Sequence, residues 1–153
     1  MLITNCYTLV AGVGNGSTEL NAFDNALYNA GVGNYNLIKV SSILPPVSRE
    51  EMSVNVAPGR ILPIAYGSKV EREKGTKIVA AVAVGIPKNP EEIGVIMEYS
   101  GVGEEKQAKL IVEDMVREAM NNRNIQIMDI KCVSSSCVVD LDFCCVFAGI
   151  ALW

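Results

Sequence analysis

The sequence predicts a single α+β domain in which helices are layered on a largely antiparallel sheet, and three observations support this fold class. The chain has 153 residues, of which half are hydrophobic and 20% are charged, so one domain can bury a substantial core. Two segments carry apolar residues at helical spacing. The other apolar segments read as strands that follow one another directly, an order that favours antiparallel pairing over alternating βα units.

The first part of the chain is predicted to form a strand, a turn and a helix. Residues 2–11 are rich in β-branched and aromatic side chains and alternate roughly, as a strand does. We interpret the glycine-rich run 12–16 as a turn, because it lacks the spacing of a dinucleotide-binding loop. Ser17 and Thr18 then offer an N-cap, and Gly31 ends the helix as a C′ residue.

One acidic residue interrupts the apolar face of this helix. Leu20, Phe23, Leu27 and Ala30 recur at helical spacing, and Asp24 lies four residues after Leu20 and three before Leu27. A carboxylate at the edge of an apolar face commonly reaches solvent. A carboxylate between two leucines also suits a ligand that has an alkyl stem and a cationic tip.

The remainder of the chain is predicted to contain further strands and a second helix. A polar, proline-containing loop follows Pro45 and Pro46, and residues 69–75 are expected to form a charged hairpin turn. The second helix has one continuous apolar face. The predicted strands are 36–44, 61–70, 76–86, 95–99 and a closing pair at 125–139 and 141–152, and the predicted helix is 104–120.

Composition excludes several classes of protein. The net charge of −4 argues against a nucleic-acid partner, which requires a concentrated basic surface. No apolar run is long enough to cross a bilayer, so we expect no membrane partner. The first six residues lack the charged and apolar regions of a signal peptide, and we expect the chain to stay in the cytoplasm.

The sequence contains no histidine, which excludes Ser-His-Asp and Cys-His nucleophile systems and histidine-ligated metal sites. We expect no metal. The five cysteines have no CxxC spacing, and we interpret the adjacent Cys144 and Cys145 as small buried hydrophobic residues rather than redox or zinc ligands.

The segment 33–46 is the most informative part of the sequence. Ser41 and Ser42 stand side by side at the end of an apolar strand, directly before Ile43, Leu44 and a proline pair. By itself a serine pair is explained by local hydrogen bonds to the backbone. In combination with other segments, however, this run resembles the pyruvoyl-dependent arginine decarboxylases. The matching blocks are 20–24, 29–34, 36–46, 65–67, 96–99 and 151–153.

The resemblance implies that the chain cleaves itself between Ser41 and Ser42 into a β chain (1–41) and an α chain (42–153). The Ser42 hydroxyl would attack the carbonyl of Ser41 to form an ester. Elimination and hydrolysis would then release ammonia and leave a pyruvoyl group at residue 42, the covalent cofactor. Its ketone would form a Schiff base with L-arginine, which is converted to agmatine and CO2.

The resemblance also assigns residues to this site. Asn36 would stabilise the oxyanion that forms during cleavage, and Glu98 would return a proton to the substrate. Since Glu98 follows apolar residues in a strand, burial should raise its pKa. Asp24 would bind the guanidinium group, with Leu20 and Leu27 lining the alkyl channel.

The family's fold and assembly follow as expectations. We expect a layered αββα sandwich with largely antiparallel sheets, and a homotrimer, or a hexamer of two trimers, whose pocket lies between subunits. Two other functions stay open: an uncleaved homologue that serves as a binding or regulatory subunit, and a decarboxylase for lysine or ornithine. A pyridoxal-phosphate enzyme is disfavoured, because the chain is short and lacks a phosphate-binding loop.

Overall fold

Two helices and nine strands occur in residues 4–153, the part of the chain that the computed structural model describes. In chain order they are β1 (Cys6–Gly16), α1 (Glu19–Asn29), β2 (Asn36–Lys39), β3 (Ile43–Leu44), β4 (Arg49–Glu50), β5 (Ile61–Glu71), β6 (Lys77–Pro87), β7 (Gly94–Val102), α2 (Glu105–Asn121), β8 (Ile127–Val138) and β9 (Phe143–Leu152).

The strands form two sheets that are stacked between the two helices. The first sheet has the order β2-β5-β9-β1-β4 and the second the order β3-β7-β6-β8. The β1–β4 and β2–β5 ladders are parallel, and the other five are antiparallel. This arrangement confirms the predicted α+β fold and the layered αββα sandwich.

Three apolar layers hold the sandwich together. Between the sheets, Val82 and Val84 of β6 pack in the same cluster as Val146 and Ile150 of β9. A second cluster lies between the first sheet and α1, and a third lies between the second sheet and α2. Strands β6 and β9 are therefore covered on both faces, which explains why their sequences are almost continuously apolar.

The glycine-rich run 12–16 is not a turn, as the sequence suggested, but the second half of β1. Gly12, Gly14 and Gly16 alternate along the strand and face α1. A Cβ atom at Gly14 would lie 2.2 Å from the Ala26 nitrogen and 2.5 Å from the Ala22 oxygen. These glycines therefore let the helix backbone lie directly against the strand.

The helix predictions are confirmed at both termini of α1. The side chain of Thr18 accepts a hydrogen bond from the Asn21 amide at 3.1 Å, as an N-cap does. Gly31 has a φ of 82°, the left-handed conformation expected at C′. The second helix begins at Glu105, one residue later than predicted.

Several strand connections differ from the prediction. The segment 36–44 is divided into β2 and β3, which belong to different sheets. Of the charged segment 69–75, residues 69–71 still belong to β5 and the rest lead to β6. Strands β5 and β6 lie in different sheets, as do β8 and β9. The connection from β5 to β6 is therefore not a hairpin turn, whereas the two closing strands are present in separate sheets. Strand β4 lies within the predicted loop, and the beginning of the predicted strand 2–11 falls outside the described residues.

The two adjacent cysteines have different environments. Cys145 is buried, and burial raises the pKa of its thiol to about 12, so it behaves as a small apolar residue, as predicted. Cys144 is also buried but forms a disulfide with Cys137, which joins β9 to β8 across the sandwich. The prediction that Cys144 is a plain hydrophobic residue was wrong in this respect.

Candidate active site at the edge of the sandwich

The Ser41–Ser42 peptide lies where the chain passes from the first sheet to the second. The Val40 amide donates to the Ile64 carbonyl oxygen of the first sheet at 3.0 Å. The Ile96 amide, in the second sheet, donates to the Ser42 carbonyl oxygen at 2.8 Å. The peptide bond between the serines is thus anchored on both sides but belongs to neither ladder.

The surroundings of this peptide are partly apolar. Ser41 is exposed, and Ser42 is half-buried. A recess of about 330 Å³ opens beside Ser41. It is lined by Thr4, Val40, Ser41, Ile43, Pro45, Pro63 and Leu152. A peptide that is accessible on one side and flanked by apolar groups on the other is available for reaction while partly shielded from water.

Glu98 lies on β7 two residues beyond Ile96, which is about 7 Å along the strand. Its side chain packs over Gly67 of β5, where a Cβ atom would lie 3.4 Å from the Glu98 Cβ. Burial raises the pKa of Glu98, and the opposite charge of Lys39 partly offsets this rise. The direction of the shift is the one that the sequence led us to expect.

Lys39 is part of this site and was not identified from the sequence. Its Nζ lies 3.7 Å from Glu98 Oε1 and 4.6 Å from the centroid of the Tyr66 ring. Because β2 pairs with β5 only as far as Ile64, Tyr66 and Gly67 lie at the open edge of the first sheet, where the two side chains meet. The available signal was a single charged residue in an otherwise uncharged strand, two residues before the serine pair.

Asn36 is not beside the serines within one protomer. It begins β2, four residues before Val40, which places it about 13 Å away along extended backbone. Its Nδ2 donates to the Gly59 carbonyl oxygen at 2.7 Å. The role of Asn36 in stabilising an oxyanion stays a prediction, and a contribution to the same protomer's serines would require it to move.

The predicted substrate-binding residues are also distant from the serines in one protomer. Helix α1 packs mainly on β1, which is three strand spacings, about 14 Å, from β2. Asp24 is exposed and Leu20 is 75% exposed, whereas Leu27 is only 8% exposed and packs in the core beneath the helix. Asp24 and Leu20 thus form an outward surface that one protomer's serines do not reach.

The chain is similar to known proteins over nearly its whole length. A sequence model of the family "Pyruvoyl-dependent arginine decarboxylase" matches residues 6–151. The chain belongs to this family. A pyruvoyl-dependent arginine decarboxylase of Methanococcus aeolicus is 42% identical over 149 residues, which is 97% of this chain and 90% of that protein.

More distant members align over a similar extent. The relative of the same name from Methanocaldococcus jannaschii is 39% identical over 151 residues, covering 99% of this chain and 91% of that protein. The one from Pyrococcus abyssi is 38% identical over 133 residues, covering 86% and 84%. The pyruvoyl-dependent family implies a covalently bound pyruvoyl group, so no separate cofactor pocket is required.

The residues at the sheet crossing fit such a group. A pyruvoyl group formed at residue 42 would keep its amide carbonyl, the oxygen that the Ile96 amide holds. The half-buried position and the nearby Glu98 are also suited to a site of proton transfer.

Within residues 4–153, no helix is both long and apolar enough to cross a membrane.

Proposed function

We propose that this chain converts L-arginine to agmatine and CO2 with a pyruvoyl group made from Ser42. Membership of the family supports the reaction class. The observation that carries the assignment to Ser42 is the anchored peptide between two sheets: Val40 is fixed to one sheet and Ser42 to the other, and Glu98 lies two residues along β7.

The position of the peptide supports self-cleavage into 1–41 and 42–153. The hydrogen bond from Ile96 restrains residue 42, while no backbone amide of residues 4–153 donates to the Ser41 carbonyl oxygen, which could accept from an oxyanion donor. The Ser42 Oγ bonds to the Ser41 carbon as the C–N bond breaks, and the hydroxyl proton passes to the Ser42 nitrogen, which gives an ester and a free amine. Loss of the Cα proton and of the Cβ–Oγ bond then leaves a Ser41 carboxylate and dehydroalanine, which water converts to pyruvoyl and ammonia.

In the processed enzyme the pyruvoyl group supplies an electron sink for loss of CO2. The chain's own contribution is the proton. Glu98 is held over Gly67, where burial favours its neutral form at a higher pH than usual. A protonated Glu98 can donate to the substrate Cα after CO2 leaves, so catalysis requires the acid form of this residue.

Recognition of arginine is proposed to involve two protomers. Asp24 offers a carboxylate for a bidentate pair with a guanidinium, and the exposed Leu20 one turn away offers an apolar contact for the alkyl stem. Because α1 packs mainly on β1, three strand spacings from β2, we propose that the neighbouring subunit of a homotrimer supplies them. We also propose that Asn36 stabilises the oxyanion during cleavage and that Leu27 lines the alkyl channel.

We further propose that the enzyme acts in the cytoplasm, which cell fractionation and immunoblotting test.

The decisive experiment compares the wild-type protein with Ser42→Ala and Ser41→Ala. We expect intact mass spectrometry to show fragments 1–41 and 42–153 in the wild type, the second with a blocked N-terminus. Ser41→Ala is the matched control, because it removes a hydroxyl from the same peptide but keeps the nucleophile. It should cleave, whereas Ser42→Ala should remain one folded, inactive chain.

Release of labelled CO2 measures the reaction itself. Arginine, lysine and ornithine should be compared, and we expect arginine to give the highest kcat/KM. Cleavage of Ser42→Ala, or CO2 release by a protein that stays uncleaved, would contradict the proposal. A preference for lysine or ornithine would retain the mechanism but change the substrate.

A further inference from the structure

We propose that Lys39 sets the charge of Glu98, and that cleavage between Ser41 and Ser42 moves the lysine from Glu98 to the carboxylate newly formed on Ser41. The inference rests on the proposed function, because it requires self-cleavage and a proton-donating Glu98. It makes Lys39 a positioning residue that couples processing to the readiness of the catalytic acid.

In the uncleaved chain, Lys39 and Glu98 form an ion pair. Lys39 Nζ lies 3.7 Å from Glu98 Oε1, and the two side chains are 53% and 31% exposed. They come from different sheets and meet at the open edge beside Tyr66 and Gly67. The ion pair therefore spans the same gap as the Ser41–Ser42 peptide.

Groups on three strands face the Glu98 side chain. From β2 it faces Lys39, from β5 it faces the Gly67 backbone with Tyr66 beyond the lysine, and its pairing partner on β6 is the apolar Val82. Among the described residues, Lys39 is the one charged group that acts on the Glu98 pKa. Burial raises that pKa and Lys39 lowers it, so removal of the lysine would leave burial unopposed.

Cleavage places a new negative charge near Lys39. The reaction turns the Ser41 carbonyl carbon into a carboxylate and leaves Lys39 and Glu98 on different fragments. The new carboxylate is two residues from Lys39, about 7 Å along the backbone, within reach of a long flexible side chain. A chain-terminal carboxylate has an ordinary pKa near 3.5, so it is ionised at neutral pH and competes for the lysine.

Cleavage is therefore expected to change the average charge of Glu98. Before cleavage the lysine opposes the effect of burial and shifts Glu98 towards its ionised form, which is not a proton donor. After cleavage the lysine has an ionised partner on its own fragment, and burial favours the protonated Glu98 that turnover requires. Cleavage thus increases the fraction of Glu98 in its acid form at the stage when the pyruvoyl group has been made.

Carboxyl-¹³C glutamate NMR can test this directly. The Glu98 resonance is assigned by its loss in Glu98→Gln, and its titration is followed in the cleaved wild type and in uncleaved Ser42→Ala. We expect Glu98 to bind its proton about threefold to tenfold more tightly in the cleaved protein, a shift reduced from the full effect of an opposite charge by solvent screening.

Lys39 variants separate the proposed cause from a general effect of cleavage. Lys39→Met in the Ser42→Ala background should raise the pKa of Glu98 to that in the cleaved protein. Lys39→Arg keeps the cation and should leave the pKa of Glu98 at that of the uncleaved protein. If Lys39→Met does not fold, Lys39→Gln provides the same loss of charge, and circular dichroism checks the fold of each variant.

The outcomes distinguish this inference from the proposed function. If the wild type never cleaves, both are refuted. If it cleaves and decarboxylates arginine but Glu98 titrates at the same pH before and after cleavage, only the lysine transfer is refuted. A difference that persists in the uncharged Lys39 variants would also refute the role of Lys39.

Discussion

Replacement of Gly14 by alanine is expected to displace α1 from the first sheet. The new Cβ would lie 2.2 Å from the Ala26 nitrogen and 2.5 Å from the Ala22 oxygen, both backbone atoms of the helix. Neither atom can move without the helix, so α1 must shift outward by about 1 Å to restore contact distances. A gap of that size loses roughly a quarter to a half of the dispersion energy of each contact beneath the helix.

The expected loss of stability follows from this displacement. Overpacking of a core typically costs about 1–3 kcal/mol, and a clash with backbone on both sides of the new atom belongs at the upper end of that range. For a domain of this size, 3 kcal/mol corresponds to a fall in Tm of about 6–12 °C. Because α1 carries Asp24, the KM for arginine should also rise, while self-cleavage at the other edge of the sheet should persist.

Urea unfolding followed by circular dichroism measures the stability change. The Ser42→Ala background keeps one continuous chain, and equal protein concentrations remove differences caused by assembly. Gly67→Ala is a matched control, since its Cβ would meet its nearest neighbours at an ordinary 3.4 Å, and we expect it to cost less than about 1 kcal/mol. A Gly14→Ala protein within about 0.5 kcal/mol of the parent would refute the close packing of helix on strand.

Three further predictions concern the site. Asp24→Asn should raise the KM for arginine about 10- to 100-fold without affecting cleavage, because it removes a charged hydrogen-bond partner; steady-state kinetics and a denaturing gel check both points. Glu98→Gln should still cleave but lose about 10²–10⁴-fold in kcat, the usual contribution of a general acid. In the wild type, kcat should fall as pH rises through the elevated pKa of Glu98, since only the protonated form donates, and a pH–rate profile measures this fall.

Each of these predictions has a contradicting result. An unchanged arginine KM in Asp24→Asn would remove the guanidinium assignment, and a loss of self-cleavage in the same variant would point to a structural effect. Near-normal decarboxylation by Glu98→Gln would mean that another group donates the proton. A kcat that is constant from acid to alkaline pH would show that the charge of Glu98 does not limit turnover.

Local features of the fold could be predicted from the sequence because short-range physics determines them. Thr18 and Gly31 bound α1 as their capping and backbone preferences require, and the apolar face of α2 is continuous. The run 12–16 was misinterpreted because glycine commonly marks turns, while its use here depends on the packing of α1 against β1, which the glycine pattern alone does not reveal. The sheet to which each strand belongs could not be predicted either, since periodicity indicates which face of a strand is buried but not which strands lie beside it.

The site was predictable to a similar degree. Ser41, Ser42 and Glu98 were proposed from the resemblance to a family, and the structure places Ser42 next to the strand that carries Glu98. Lys39 was overlooked because a lysine at the end of a strand ordinarily reaches water, and its partner is 59 residues away in the chain. Only the stacking of two sheets brings those residues together.

The crossing of the chain between sheets has a consequence for the durability of the processed enzyme. Strand β1 is flanked by β9 on one side and β4 on the other, both of which belong to the portion after residue 42. A nick at the crossing would therefore leave the shorter polypeptide interleaved with the longer one, and separating them would mean extracting an interior strand together with its helix. The two pieces should copurify and melt as one cooperative unit, although no peptide bond joins them.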